Sequence, residues 1–166
     1  MSMFFRSILL ASALLALAAC QKAEEAPQVA APVEVKAPAD NNTQSWKLYM
    51  SAVVKQNMDG VRSSPYMYTL PPEDTEDFEA QYERQLDNVV GTVSRGVLPG
   101  NMLAFGSLSP DSTRIADLAQ EAFAEAPEGS MKDVKVLFIG RPEHADRVRE
   151  AIEPSGASFL FADITR

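Results

Sequence analysis

The sequence predicts an α/β domain over residues 43–166, with a parallel βαβαβ unit at its C-terminal end. Three short apolar runs in that region alternate with two amphipathic segments, and this alternation is typical of parallel strands joined by helices. Two further amphipathic segments and one short β-prone run come before the unit. We therefore expect two helices and a short edge strand ahead of it.

The first element is predicted to be a helix that has Thr43 as its N-cap and stops at Gly60. Its apolar residues fall at spacings of three and four, which places one stripe toward the core: Trp46, Tyr49, Met50, Val53 and Val54. The run that follows, residues 66–70, is β-prone and lies between Pro65 and Pro71, so we expect a short strand there.

The second helix is expected to begin near Asp74 or Thr75 and to run to Arg95, just before Gly96. Acidic residues crowd its start, where the helix dipole favours negative charge. Its apolar face consists of Phe78, Tyr82, Leu86, Val89, Val90 and Val93. Gly91 costs about 1 kcal/mol relative to alanine inside a helix, so it is the position at which this helix could kink or fray, although we expect the helix to continue through it.

The three apolar runs of the βαβαβ unit are residues 102–105, 134–139 and 158–162. Ser109 is predicted to cap the first connecting helix, with Pro110 at its first position, and Pro142 opens the second, which Gly156 ends. Strands joined in this way are parallel with right-handed crossovers, which is half of a doubly wound sheet.

An export signal is predicted at the N-terminus, over residues 1–19. Arg6 precedes an apolar run, residues 7–16, that is too short to span a bilayer and has the length of a signal-peptide core. The run ends in Leu17-Ala18-Ala19-Cys20, which resembles the lipobox of bacterial lipoproteins. The alternative is an ordinary secretory signal with an incidental cysteine at its end.

The lipobox resemblance implies that Cys20 carries covalent lipid, such as palmitate, and becomes the N-terminus after cleavage. Several acyl chains anchor a protein stably where one alone is marginal. The residue after the cysteine is Gln21, whereas an Asp there commonly marks retention at the inner membrane in lipoproteins. The resemblance therefore implies the outer membrane, with the domain facing the periplasm, and no cofactor other than this lipid.

A flexible linker is predicted between the lipid and the domain, so that residues 20–42 comprise the lipidated cysteine and a tether. Residues 21–42 are rich in Ala, Pro, Glu and Lys and contain no aromatic residue, so they bury too little apolar surface to fold. Extended polyproline geometry would give this stretch a reach of up to ~70 Å. Its Val33-Glu34-Val35 alternation is too short to predict a strand.

Charge and cysteine content exclude several classes of function. Removing residues 1–19 takes away one basic residue, Arg6, and leaves 14 basic against 23 acidic residues, a net charge of −9. Nucleic-acid binding depends on clustered Lys and Arg, so we expect no nucleic-acid partner. The chain has one cysteine and one histidine, so neither a disulfide nor a metal site is expected in the domain.

Candidate ligand-binding residues follow the predicted strands, where parallel α/β sheets bind ligands. They are Ser107, Ser109, Ser112, Arg141 and His144. Hydroxyl groups at a helix start beside an arginine could hold an anion, but the same residues are what a helix start needs for capping, and Asp111 and Glu143 would repel an anion. No glycine-rich nucleotide motif is present.

Catalysis would require His144 to act as a general base for Ser107 or Ser112. A Gly-x-Ser-x-Gly elbow is absent, and a single histidine in the first turn of a helix is commonly just exposed, so the sequence favours a protein that is not an enzyme.

Aromatic residues concentrate in the N-terminal part of the domain, with Tyr66 and Tyr68 in the predicted edge strand. Such residues anchor interfaces, although those at helical spacing, Trp46 and Tyr49, also suit a core. An edge strand can accept a strand from another protein. We therefore expect a membrane-anchored lipoprotein that binds another envelope protein, as an accessory subunit or an inhibitor. The alternative is a small-ligand-binding protein or enzyme that uses the loops after the parallel strands.

Overall fold

The computed structural model describes residues 35–166, which belong to one compact unit. The predicted signal peptide, Cys20 and linker residues 21–34 lie outside the described residues. The helices and strands within the described part are, in chain order, α1 (Thr43–Gln56), β1 (Tyr66–Leu70), α2 (Phe78–Val93), β2 (Met102–Ser107), α3 (Thr113–Phe123), β3 (Lys135–Gly140), α4 (Pro142–Ile152), a 3-10 turn (Glu153–Ser155) and β4 (Ser158–Asp163).

The four strands form one parallel sheet in the order β1-β2-β3-β4. Phe105 of β2 lies opposite Tyr68 of β1 on one side and Phe138 of β3 on the other. The predicted α/β class and the parallel βαβαβ unit are confirmed, and β1 lies at the sheet edge. Because β1 is parallel to β2, α2 is itself a crossover helix.

The sheet separates two helical layers. In a sequential strand order, right-handed crossovers place α2, α3 and α4 on the same face. Helix α1 packs on the opposite face. Within the described residues the strand order never reverses, so the topological switch of a doubly wound sheet does not occur there.

Alternation along the strands fills both faces with apolar side chains, because successive residues point to opposite faces. Leu103 and Phe105 face the three crossover helices, whereas Met102 and Ala104 face α1. The first cluster includes Ile115, Leu118, Phe123, Val136, Phe138 and Val148. The second includes Trp46, Met50, Val53, Leu137 and Ile139.

The folded part begins before the predicted boundary at residue 43. Val35 and Ala37 pack against the cluster beneath α1. The indole Nε1 of Trp46 donates a hydrogen bond of 2.6 Å to the carbonyl oxygen of Asp40. The last residues of the predicted linker therefore belong to the domain.

Three helices differ from the prediction either in their first residue or in the residue that caps them. Asn42, not Thr43, caps α1, and its side chain accepts the Ser45 N–H at 3.1 Å. Helix α2 begins at Phe78, after Asp77 in a left-handed conformation with φ of 59°. It passes through Gly91, as predicted, and ends at Val93, two residues before the predicted end at Arg95.

The observed start of α3 also differs from the predicted one. This helix begins at Thr113, so Ser109 is not its N-cap and Pro110 is not its first residue. The residues before it form a turn in which the Ser109 hydroxyl donates to the Asp111 carbonyl at 3.1 Å. The start of α4 at Pro142 is as predicted. None of the helices between residues 35 and 166 has the length and apolarity required to cross a bilayer.

Candidate functional site

A cleft of about 650 Å³ opens at the carboxyl ends of β1, β2 and β3. Each of these strands is followed by a loop or a helix start that contributes to the lining: Pro72, Glu73 and Asp74 after β1, Ser109, Pro110, Asp111 and Thr113 after β2, and Arg141, Glu143 and His144 after β3. Asn41, which precedes α1, completes it. This is the position at which parallel α/β sheets bind ligands.

The structure brings three of the five predicted ligand-binding residues into the cleft: Ser109, Arg141 and His144. Ser107 and Ser112 are buried, and neither lines the cleft. The hydroxyls of Ser107 and Ser109 lie 2.9 Å apart and share a hydrogen bond. The serines therefore stabilise the loop after β2.

Ser112 connects two of the loops. Its hydroxyl oxygen accepts the backbone N–H of Arg141 at 2.9 Å. This bond joins the loop after β2 to the loop after β3 and fixes where Arg141 leaves the sheet.

Asp111 occupies the positive end of α3. Its Oδ1 accepts the backbone N–H of Thr113 at 2.8 Å. This bond, together with a hydrogen bond from the Thr113 side chain and the nearby charges of His144 and Arg141, outweighs partial burial and lowers the pKa of Asp111 below its ordinary value of 3.8. A helix start that already holds its own carboxylate is a poor site for a second anion.

Arg141 is likewise paired within the cleft wall. Its Nε donates to Glu143 Oε1 at 2.5 Å, and this bond lowers the pKa of Glu143. The lining as a whole carries four carboxylates, Glu73, Asp74, Asp111 and Glu143, and one guanidinium. A cationic group suits these charges better than the anion considered from the sequence.

His144 contacts two side chains through its two ring nitrogens. Its Nδ1 lies 3.4 Å from Nη2 of Arg147, and its Nε2 lies 3.3 Å from the hydroxyl of Thr113. A guanidinium only donates hydrogen bonds, so Nδ1 must accept, and a neutral ring then carries its proton on Nε2 and donates it to Thr113. This polarity is the reverse of what activates a hydroxyl nucleophile, in which the imidazole accepts the proton.

Arg147 holds this corner of the cleft in place. Its Nη1 donates to Asp117 Oδ1 at 2.6 Å and also to Gln120, and its Nη2 donates to the Thr113 carbonyl at 3.2 Å. These bonds connect α4 to the first turns of α3, which sets the separation of His144 from Thr113. The aspartate pair is only partly exposed, so it is less screened than a surface ion pair.

Sequence reasoning missed the contribution of the first loop. The sequence prediction places Asp74 at the start of α2 and does not include Glu73 in a site, because it does not identify β1 as a strand parallel to the others. The signal was present, since a β-prone run followed by an amphipathic helix and another strand is a βαβ pattern. No comparable signal pointed to Asn41.

The predicted partner-binding tyrosines differ in exposure. Tyr66 is 47% exposed, whereas Tyr68 is 4% exposed, stacks on Phe105 and donates a hydrogen bond of 3.1 Å to Thr92. Burial raises the pKa of Tyr68. Tyr68 is therefore a core residue, and Tyr66 alone of the pair presents a surface.

Exposed apolar residues gather near the start of β1. Leu98 is 77% exposed and lines, with Tyr66 and Arg95, a smaller cavity of about 220 Å³. Met67, the next residue of the edge strand, is 38% exposed. These residues form what we term the β1 edge surface: Tyr66, Met67, Arg95 and Leu98.

Comparisons of the chain with protein-family models, with curated proteins and with solved structures found no match. Within residues 35–166, no group of three or more His, Cys, Asp or Glu side chains is placed to hold a metal ion.

Proposed function

We propose that this chain is a lipoprotein anchored through Cys20 to the outer membrane, facing the periplasm. Its α/β domain binds another envelope protein, as an accessory subunit or an inhibitor, and catalyses no reaction itself. The lipobox resemblance at residues 17–20 supports the anchor.

One observation carries the binding role, namely the β1 edge surface. Within the described residues β1 pairs with β2 alone, which leaves its other side available for a partner strand. Tyrosine and arginine are enriched among the residues that anchor protein interfaces, and the exposed Tyr66 lines the same small cavity as Arg95.

A photo-crosslinking amino acid at Tyr66, in the full chain and in intact cells, tests the binding role. We expect an adduct whose mass exceeds that of the chain by the mass of a different protein. The control places the same group at Glu83, which is exposed on α2. Adducts of equal yield at both positions, or none at Tyr66, would refute the proposal.

The anchor is tested separately by growing cells with a clickable palmitate analogue. The wild-type chain should incorporate the label and remain with the membrane fraction, whereas Cys20→Ser should do neither. Equal labelling of the two chains would remove the lipid from the proposal and leave the binding test unaffected.

A second candidate function is the binding of a small cationic ligand in the cleft, which the four carboxylates of its lining favour. Native mass spectrometry of the protein extracted from cells tests it. We expect a bound mass on the wild-type chain that is absent from Glu73→Gln/Asp74→Asn, with the circular dichroism spectrum unchanged. An identical spectrum of bound masses for both chains would argue against this role.

A further inference from the structure

The edge strand β1 offers a short and uncharged pairing site. The Leu70 carbonyl accepts the Leu108 N–H at 2.8 Å, so Leu70 directs its backbone groups toward β2. Because successive residues of a strand direct their backbone groups to opposite sides, the N–H and C=O groups of Met67 and Thr69 face the open side of β1. Pro65 precedes the strand and Pro71 follows it, and neither residue has a backbone N–H that could donate to a partner strand. Pairing on this side is therefore confined to a few residues.

Opposite charges stand at the two ends of this strand. Arg62 and Arg95 lie at its start, where Arg95 lines the same cavity as Tyr66. Glu73 and Asp74 follow its end, and all four side chains are exposed. A strand of five residues is roughly 16 Å long, so the basic and acidic ends are separate along the edge.

We infer that the β1 edge pairs with the β1 edge of a second copy of this chain, antiparallel and about a two-fold axis. Antiparallel pairing places Arg95 of each copy beside Glu73 and Asp74 of the other, so both ends gain an attraction. Met67 and Thr69 exchange main-chain hydrogen bonds, and the two sheets become one of eight strands. The axis makes the contact isologous and therefore closed.

The charges disfavour the other arrangements of two copies. Parallel pairing of two β1 strands would bring like charges together at both ends. Addition of β4 beside β1 in parallel offers no comparable attraction, because Asp163 at the end of β4 is already paired with Arg166, and it would produce an open chain of copies. A tethered protein also meets its copies at high effective concentration, which favours a weak self-contact.

This inference goes beyond the proposed function, because it assigns a second occupant to the β1 edge surface. A second copy on this edge covers Tyr66, so self-association and the binding of another protein exclude each other. In the self-associated form, the β1 edge surface would be inaccessible until another protein displaces the second copy.

Charge reversal in the full chain tests the arrangement. Two differently tagged copies are co-expressed, extracted in detergent and co-purified. Arg95→Glu, or Glu73→Lys/Asp74→Lys, places like charges at both contacts, and we expect roughly tenfold less co-purification of identical copies. Mixing the Arg95→Glu chain with the Glu73→Lys/Asp74→Lys chain restores both attractions and should restore co-purification.

The matched control is Arg84→Glu, the same charge change at an exposed position on α2, which should leave co-purification at the wild-type level. The inference is overturned if wild-type copies do not co-purify, if the reversed chains co-purify like wild type, or if mixing them restores nothing. Crosslinking at Tyr66 separates the two proposals: an adduct of twice the mass of the chain supports self-association, and only an adduct with another protein supports the proposed function.

Discussion

Among single residues, Ser112 joins two of the loops beside the cleft through one buried hydroxyl. It is 1% exposed, and its hydroxyl is the hydrogen-bond partner of the Arg141 N–H. A buried backbone N–H that has no hydrogen-bond partner destabilises the folded state by the free energy of removing that group from water. The position of Arg141 and the stability of the domain therefore depend on the same bond.

Replacing this hydroxyl should destabilise the protein. We expect Ser112→Ala to lower the free energy of unfolding by about 1–3 kcal/mol, measured by urea denaturation. The control is Ser51→Ala, because the Ser51 hydroxyl is exposed and bonds only its own helix; its effect should stay within about 0.5 kcal/mol. Equal effects of the two substitutions would show that the link between the loops contributes nothing.

The contribution of Asp111 to the stability of the fold depends on pH. Its pKa in the folded protein lies below the ordinary value of 3.8, so its charge stabilises the fold above pH 3.8 and this contribution is lost as the pH falls through the folded pKa. Wild type should therefore exceed Asp111→Asn in stability at pH 6, and the gap should shrink below pH 3.8. Asp59→Asn, which removes an exposed charge, is the control for the loss of net charge. A gap that is constant from pH 6 down to pH 2.5 contradicts the assignment.

At the scale of helices and strands, glycines show how packing decides the effect of one methyl group. A Cβ on Gly140, at the end of β3, would lie 2.5 Å from Cζ of Phe138 and 3.0 Å from the Ser112 hydroxyl. Phe138 is fully buried, so its ring has no space to withdraw. A Cβ on Gly91, inside α2, would meet no atom within 4 Å.

The same substitution should thus have opposite effects in the two elements. Gly140→Ala should destabilise by about 1–3 kcal/mol through overpacking. Gly91→Ala should stabilise by roughly 0.5–1 kcal/mol, because alanine loses less backbone entropy in a helix. Thermal unfolding of both variants checks the signs, and two shifts in the same direction would refute this account.

Strands β2 and β3 were predictable because buried parallel strands read as continuous apolar runs, which residues 102–105 and 134–139 match closely. Strand β4 is half-buried at the other sheet edge, and its run, residues 158–162, is apolar as well. The starts of α2 and α3 were not predictable, because Ser, Asp and Pro serve turns as well as caps. Ser109-Pro110-Asp111 forms a turn held by the hydroxyl of Ser109 and the carboxylate of Asp111. Sequence alone does not distinguish the two uses.

For the molecule as a whole, sequence reasoning located the edge of the sheet where the cleft lies but not its full lining. Arg141 and His144 were predictable because each follows a recognised strand. The burial of Ser107 and Ser112 was not, because it depends on which loop covers which. The same limit applies to residues 35–42, whose composition resembles a linker although Val35 and Ala37 pack on the domain.

That N-terminal segment should contribute measurable stability. A chain that begins at Asn42 keeps the α1 cap but loses Val35, Ala37 and the carbonyl that Trp46 donates to. We expect its free energy of unfolding to be about 1–3 kcal/mol lower than that of a chain beginning at Val35. Identical unfolding curves for the two chains would place the start of the folded part at residue 42 or later.

The sequential strand order has a consequence for biogenesis. Each strand pairs with the one made immediately before it, so the nascent polypeptide never has to reserve a gap for a later segment. Three strands and two crossover helices, all within residues 66–140, can pair without any contribution from the last 26 residues, 141–166, and β4 then adds beside β3. The sheet can therefore form in chain order, one strand at a time.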